Sequence, residues 1–278
     1  MNSGSPYSIT PVVRTLIIIC VALWLLSIGA GESGIDLSRY LGLFNFDSPF
    51  FQPWQLVTHL FMHDTKEPFH LFFNMLGLWM FGSSLERFWG SKRFLIYFLI
   101  TGIGAGTVQT TVTNFQFRPM LEAANAYNMH PNYISFDRFT TNYLPGSYDN
   151  EQLNEFMKAW YYDLKNPGYV VESKKLVAEV VEFRQNTVNV GASGSLYGLL
   201  LAFGMIFPNV MIMMLIPPIP MKAKYFVMVF GAIELFSGLR NNIEDNVAHF
   251  AHLGGMLFGI ILILLWKKQD RKRNVFMP

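Results

Sequence analysis

Six apolar runs dominate this chain, each close to the length a helix needs to cross a bilayer. They extend from about Val12 to Ala30, Phe69 to Leu85, Phe94 to Thr113, Val188 to Phe207, Tyr225 to Leu239 and Val247 to Trp266. Hydrocarbon offers no partner for backbone N–H and C=O groups, so segments that cross it must close their hydrogen bonds internally, as helices do. Several of the runs fall short of the ~20 residues that span ~30 Å of hydrocarbon, which suits helices that start inside the protein. The composition agrees: 51% of residues are hydrophobic and 14% charged, against about 25% charged in soluble domains. The expected fold class is an all-α polytopic membrane protein, a six-transmembrane-helix bundle with a helical extramembrane insertion.

The charges then orient the bundle. Arg87, Lys92 and Arg93 lie between runs two and three, Lys222 and Lys224 between four and five, and Lys267, Lys268, Arg271, Lys272 and Arg273 after six. With six spans these loops share one face with the N-terminus, and the positive-inside rule makes that face cytoplasmic. The first run lacks a basic leader and a cleavage site, and is read as a retained span rather than a removed signal peptide. A net charge of +2 is too small to argue for a nucleic-acid partner, and the lone Cys20 excludes an internal disulfide.

Two stretches lie outside the runs. One spans Gly31 to Pro68; the other, Asn114 to Gln185, carries charges throughout. Within the second, Leu153, Phe156, Met157, Trp160 and Leu164 recur at helical spacing, as do Leu176, Val180 and Phe183, with a turn at Asn166-Pro167-Gly168 between them. The domain expectation is therefore residues 1–113 with spans one to three, a helical insertion over 114–187, and residues 188–278 with spans four to six and a basic tail. The apolar Val210 to Met221 stretch, with Pro217, Pro218 and Pro220, is read as an interfacial loop.

Polar and ionisable groups at membrane depth are costly, so those present point to chemistry. Ser193 stands in Gly191-Ala192-Ser193-Gly194 and His252 opens Ala251-His252-Leu253-Gly254-Gly255. A nucleophile with a base is what remains for intramembrane hydrolysis: the sequence holds no His-Glu-x-x-His zinc motif, and no aspartate lies in a span. Gly191 and Gly194 allow a strained entry and close helix approach, and a helix starting near Ser193 would aim its free N–H groups at a developing oxyanion. The same four residues also read as a small-residue helix contact. Gly255 and Gly259 form a Gly-x-x-x-Gly on the His252 face that would pack span six on span four and bring His252 toward Ser193. His70 and Asn74, four apart on span two, offer donors for an oxyanion or for interhelical bonds. His59 and His63 share that spacing and raise a metal site, for which no third ligand of clear spacing is present; no metal or other cofactor is expected. Glu86 and Arg87 read as a structural ion pair, and His249 as a helix contact. Glu234 is a deep charge that faces either a water-filled region or an internal partner.

Together, His70-x-x-x-Asn74, Gly191-Ala192-Ser193-Gly194 with Tyr197, and Ala251-His252-x-x-Gly255-x-x-x-Gly259 resemble the signature set of the rhomboid intramembrane serine proteases, in order and on spans two, four and six of a rhomboid-like bundle. The resemblance implies Ser193 as nucleophile and His252 as general base, a dyad without aspartate, with Tyr197 packed on the His252 ring to orient it. It implies an oxyanion hole of His70, Asn74 and the Ser193 backbone N–H. Phe73 and Glu234 would flank a lateral substrate gate between spans two and five. The implied substrates are transmembrane proteins met within the lipid bilayer, and the implied location is a bacterial cytoplasmic membrane with both termini in the cytoplasm. Oligomeric state is not implied. The alternative is a catalytically inactive relative that binds membrane proteins for quality control; a transporter would call for internal repeats or several charges along a pathway. The sequence departs from the family at Trp54-Gln55, where Trp-Arg is frequent, and in the length of the insertion.

Overall fold

The computed structural model describes residues 8–144, 150–213, 218–240 and 248–272. It is almost entirely helical. Helix α1 (Pro11–Glu32) is followed by two single turns, α2 (Ser38–Leu41) and α3 (Gln55–Thr58), in the first outer loop. Helix α4 (Pro68–Gly77) runs through a π turn, Leu78–Gly82, into α5 (Ser83–Trp89). Helix α6 (Ser91–Met129) is the longest, and α7 (Tyr133–Tyr143), α8 (Asn150–Tyr162) and α9 (Pro167–Gln185) follow it. Helix α10 (Ser193–Ile206) leads to a two-stranded hairpin, β1 (Met211–Met213) and β2 (Pro220–Lys222), then to α11 (Ala223–Arg240) and α12 (His249–Lys272).

Among the described residues three helices are long and apolar enough to cross a membrane, Pro11–Glu32, Ser91–Met129 and His249–Arg271, while α10 is apolar but short. On α1 only a stripe of Val13, Leu16 and Cys20 is buried, whereas Ile18, Leu25 and Leu26 face outward. An apolar exterior of this kind suits a lipid surround rather than water.

The start of α1 is latched rather than frayed. The Glu86 carboxylate accepts from the Val12 and Val13 backbone N–H groups at 3.0 Å, from the Thr10 hydroxyl, and from Ser91 Oγ at 2.6 Å. Arg87 Nη1 donates to the Ser8 carbonyl at 2.8 Å. Glu86 and Arg87, expected as an ion pair, each bind the N-terminal segment.

Several expected boundaries shift. The fourth span was expected from Val188, yet the helix begins at Ser193, because Leu43 and Asn189 pair by reciprocal backbone bonds of 2.9 and 2.8 Å and Gly191 adopts φ 118°. The third does not end at Thr113: α6 continues to Met129 through Pro119, since the Leu121 to Ala126 stretch is rich in strong helix formers and carries no stop signal. Within the Val210 to Met221 stretch, expected as an interfacial loop, Met211–Met213 pairs antiparallel with Pro220–Lys222, Met211 opposite Lys222 and Met213 opposite Pro220; Pro220 is tolerated at the first residue of a strand. Pro217, Val247 and Arg273, which the sequence reading named, lie outside the described residues.

Two separate cores result. Helices α6, α10 and α12 meet through small residues: a Cβ on Gly255 would collide with the Gly194 carbonyl oxygen, and one on Gly198 would lie 3.1 Å from the Gly255 carbonyl oxygen. The insertion instead packs Met120, Tyr127, Phe136, Phe139, Trp160, Val177 and Val180 around rings such as Phe136 and Trp160, 5.6 Å apart. Residue 114 lies inside α6, so the insertion grows out of a continuous helix. Asn166 caps α9, its Oδ1 accepting from Gly168 N at 2.9 Å, while Leu164 and Phe183 stay exposed beyond the core.

Candidate active site

The segment before α10 is fixed by the first outer loop. Gln185 Nε2 donates to the Asp47 carbonyl at 2.7 Å, Ser48 Oγ to Asn186 Oδ1 at 2.8 Å, and Gly191 N to the His59 carbonyl at 2.9 Å. That loop is itself organised by fully buried Gln55, which donates to the Phe50 carbonyl at 3.1 Å and accepts from Gln52 N at 3.1 Å. The glutamine thus performs a bracing task at the position where the family often places arginine. His59 and His63 are buried in the same loop. Burial pushes both imidazoles down to about 4, so both are neutral near pH 7.

At Gly191 the left-handed φ turns the chain into α10 and leaves room for another side chain. A Cβ there would lie 2.9 Å from His70 Cε1 and 3.0 Å from His70 Nε2, so the His70 ring stands directly over the entry to Ser193. The His63 ring packs behind it at 5.4 Å between centroids. Asn74 is buried one turn along α4, with its Nδ2 donating to the His70 carbonyl at 2.8 Å. One amide hydrogen is thereby spent and the other is left for a further acceptor. Phe73, on the same helix, is 55% exposed.

Ser193 is the first residue of α10, half-buried where helical N–H groups have no intrahelical partner. A helix of 14 residues is about 21 Å long, so an apolar α10 with one end near a membrane face has the other inside the bilayer. His252 stands in the first turn of α12, where Gln109 Oε1 accepts from the Ala251 N–H at 3.0 Å. The Gly194–Gly255 approach brings the two helix starts together, and Ser193 Oγ lies 3.0 Å from His252 Nε2. Tyr197, one turn beyond Ser193, stacks on the His252 ring at 4.0 Å and 12°.

Gly259 sits against the Tyr97 hydroxyl, which donates to the Gly198 carbonyl at 2.9 Å. Of the glycines expected at the interface between spans four and six, Gly194 and Gly255 touch each other. Gly191 faces His70, and Gly259 faces α6.

Glu234, for which the sequence leaves a gate position or an internal partner open, has internal partners. It is 6% exposed and turned inward, accepting from the Tyr197 hydroxyl and from His249 Nδ1 at 2.6 Å. Its Oε2 is also 2.9 Å from His252 Nδ1, within ion-pairing distance though off the axis of an ideal ring N–H hydrogen bond. The sequence could not reveal this, because α11 carries no apolar–polar period that fixes which way Glu234 faces. His249 was read only as a helix contact; the His249-x-x-His252 spacing was the available sign that both rings share a partner.

Among the described residues, Glu234, His249 and His252 form the one three-ligand cluster that could close on a metal ion. Donors around a tetrahedral ion with ~2.0–2.1 Å bonds stand about 3.3 Å apart. The 2.6 and 2.9 Å contacts here are shorter and fit direct hydrogen bonding or charge pairing.

A Rhomboid domain profile matches residues 51–120 and 172–269, more than half of the chain. The chain belongs to the rhomboid family. The break in the match, 121–171, falls on the end of α6, on α7 and α8, and on the start of α9, so much of the insertion is additional to the rhomboid domain. The rhomboid protease GlpG of Yersinia pestis (strain Pestoides F) is 23% identical over 107 residues, 38% of this chain and 37% of that protein. The rhomboid protease GluP of Bacillus subtilis (strain 168) is 38% identical over 66 residues, 24% of this chain and 12% of that protein. The chain thus spans little more than a third of the GlpG relative and a smaller part of GluP.

Proposed function

We propose that this rhomboid-family chain is an intramembrane serine endopeptidase that cuts transmembrane protein substrates with Ser193 as nucleophile and His252 as general base. The observation that carries this reading is the 3.0 Å approach of Ser193 Oγ to His252 Nε2 at the buried starts of two apolar helices. Such a pair is within reach for proton transfer, and an unpaired nucleophile and base are otherwise costly at that depth. Similarity to proteins named rhomboid proteases supports the same activity.

In the reaction the Ser193 hydroxyl gives its proton to Nε2 as Oγ bonds to the scissile carbonyl carbon. The imidazolium then returns that proton to the leaving amide nitrogen as the C–N bond breaks, and water resolves the acyl-enzyme by the reverse transfer. The developing oxyanion is held by the Ser193 N–H, His70 and the free Asn74 amide hydrogen. This assignment is supported by the His70 ring over Gly191. Tyr197 keeps the His252 ring in plane by stacking. Exposed Phe73 is the proposed side of a lateral substrate entry.

The fold reading is six spans, taking α4–α5 and α11 with α1, α6, α10 and α12, and both termini cytoplasmic in a bacterial inner membrane. Basic residues at the α5–α6 turn, at β2–α11 and at the end of α12 support that orientation. The insertion over 114–187 is proposed as an outer-face module that selects or docks substrates, since long connections are usually functional.

Cleavage of a model transmembrane substrate in proteoliposomes tests the activity. Wild type is expected to cut it, and Ser193→Ala or His252→Ala to abolish cutting while remaining folded and inserted. Substantial turnover by either variant would contradict the assignment.

A further inference from the structure

The Ser193–His252 pair is not isolated at its far side. Beyond the base stands the Glu234 carboxylate, its Oε2 2.9 Å from His252 Nδ1 and 2.6 Å from His249 Nδ1, with Oε1 accepting from the Tyr197 hydroxyl. Three groups from two other helices thus converge on one buried acid of α11, and Tyr197 touches both the acid and the imidazole face. An ionised carboxylate can only accept hydrogen bonds. Against it, the favoured neutral tautomer of His252 carries its proton on Nδ1, which leaves Nε2 as a lone pair facing Ser193 Oγ.

We infer that Glu234 is a positioning residue for the reaction, fixing the Nδ1–H tautomer of His252 and pairing with the imidazolium that forms when the Ser193 proton reaches Nε2. This rests on the serine-protease reading given above. The chain then works through a Ser193–His252–Glu234 line rather than an unsupported dyad, with its acid supplied by a third helix. The proton stays on the imidazole until it is passed to the leaving nitrogen; Glu234 itself takes no proton, and its negative charge is what the transient cation meets in a site screened from water. Tyr197 binds the other carboxylate oxygen and His249 shares Oε2, so the orientation of the acid does not depend on His252 alone.

A purely structural reading would have Glu234 tie α10, α11 and α12 together through hydrogen bonds alone. Glu234→Gln separates the two, because the amide keeps the shape and an acceptor but removes the charge and can offer N–H to Nδ1, favouring the wrong tautomer. The expected result in proteoliposomes is a kcat lower by about 10²–10⁴-fold with KM little changed. The polar groups facing His252 are Ser193 and Tyr197 on α10, Glu234 on α11, His249 on its own helix and His70 on α4, and only Glu234 changes in this variant. Glu234→Asp, which keeps the charge, should recover part of the rate.

Should the variants fold poorly, the tautomer of His252 in the wild-type protein is readable by ¹⁵N-histidine NMR above its titration, with His252→Ala identifying the signal. A proton on Nδ1 is expected. A proton on Nε2, or a folded Glu234→Gln protein with wild-type kcat, overturns the inference. Absence of any Ser193-dependent cleavage by wild type would instead count against the protease reading, and the tautomer is measured independently of it.

Discussion

The membrane-embedded helices and the insertion both bury large apolar side chains, Phe94, Tyr97 and Phe98 in the first and Phe136 and Trp160 in the second, but close backbone contact marks the first. Around the site, α10 and α12 approach until the Gly194 carbonyl oxygen and the Gly255 backbone touch, and hydroxyls such as Ser195 Oγ reach a neighbouring carbonyl, here Phe98 O at 2.8 Å. In the insertion, Trp160, Tyr127, Phe136 and Phe139 fill the interior, and the Tyr127 hydroxyl meets Ser173 Oγ. Lipid tails are as apolar as leucine, so burying a large side chain between spans gains little, and close packing with paired polar groups is what remains. In water the burial of rings is the main driving force. The difference teaches that the insertion has an aromatic cluster of its own, while the site depends on ångström-scale backbone contact.

The sharpest way to break this comparison is to damage each core separately. Trp160→Ala should cost about 3–5 kcal/mol in the insertion, read as early proteolysis between residues 133 and 180, while fluorophosphonate labelling of Ser193 persists. Loss of labelling would show that the two regions fold as one. Excision of the insertion has to retain residues 185–191, since Gln185, Asn186 and Asn189 are bonded to Asp47, Ser48 and Leu43 of the outer loop. With that joint kept, labelling should survive and substrate preference should change.

A second test separates chemistry from stability within the membrane region. His70→Ala/Asn74→Ala is expected to lower the chemical step by about 2.7–4 kcal/mol, roughly 10²–10³-fold, with substrate binding little altered. If these side chains only join helices, the thermal midpoint should fall by an amount equivalent to about 1 kcal/mol and the turnover of folded protein should hold.

A smaller change in volume probes the glycine contact. Gly255→Ala places a methyl group on the Gly194 carbonyl, for which about 1–3 kcal/mol is expected, together with a loss of Ser193 labelling as the two helix starts separate. Ile261→Ala, on the outward side of α12, should change stability by less than about 0.5 kcal/mol. Equal effects would remove the distinction between a close-packed and a lipid-facing side.

The smallest effect near neutral pH concerns the joint between the regions. His59 is held at about 4 in the folded loop by burial, against an ordinary ~6.5. A histidine whose folded value is depressed favours the folded state fully above its unfolded value, and that contribution fades as pH falls from about 6.5 toward 4. The wild-type thermal midpoint should drop over that window, and a His59→Gln variant should show a flatter dependence. An unchanged slope in that variant would place the acid sensitivity elsewhere.

The helical membrane class was legible because hydrocarbon leaves few options: long apolar runs fold as helices, and the amphipathic period at Leu153–Trp160 forms α8. Ser193, His252, His70 and Asn74 stood out because polar groups at depth are rare. What the sequence left open follows from the same physics. Helix α11 is apolar all round, so no periodicity says which way Glu234 faces, and it turned out to be bound to His249, His252 and Tyr197. The extension of α6 to Met129 is not marked in the sequence, because the apolar run ends at Thr113 and Pro119 follows, although Leu121 to Ala126 is rich in helix formers. The fourth helix starts late at Ser193 because backbone pairing at Asn189 and the left-handed Gly191 override the apolar run.

The central claim is that His252 activates Ser193 at the meeting point of α10 and α12. Site-resolved mass spectrometry after fluorophosphonate treatment in proteoliposomes tests it most directly. The account predicts a single adduct on Ser193 in wild type and at least ~10²-fold slower adduct formation in folded His252→Ala. An adduct that forms equally fast without His252, or one on a serine other than Ser193, would contradict it.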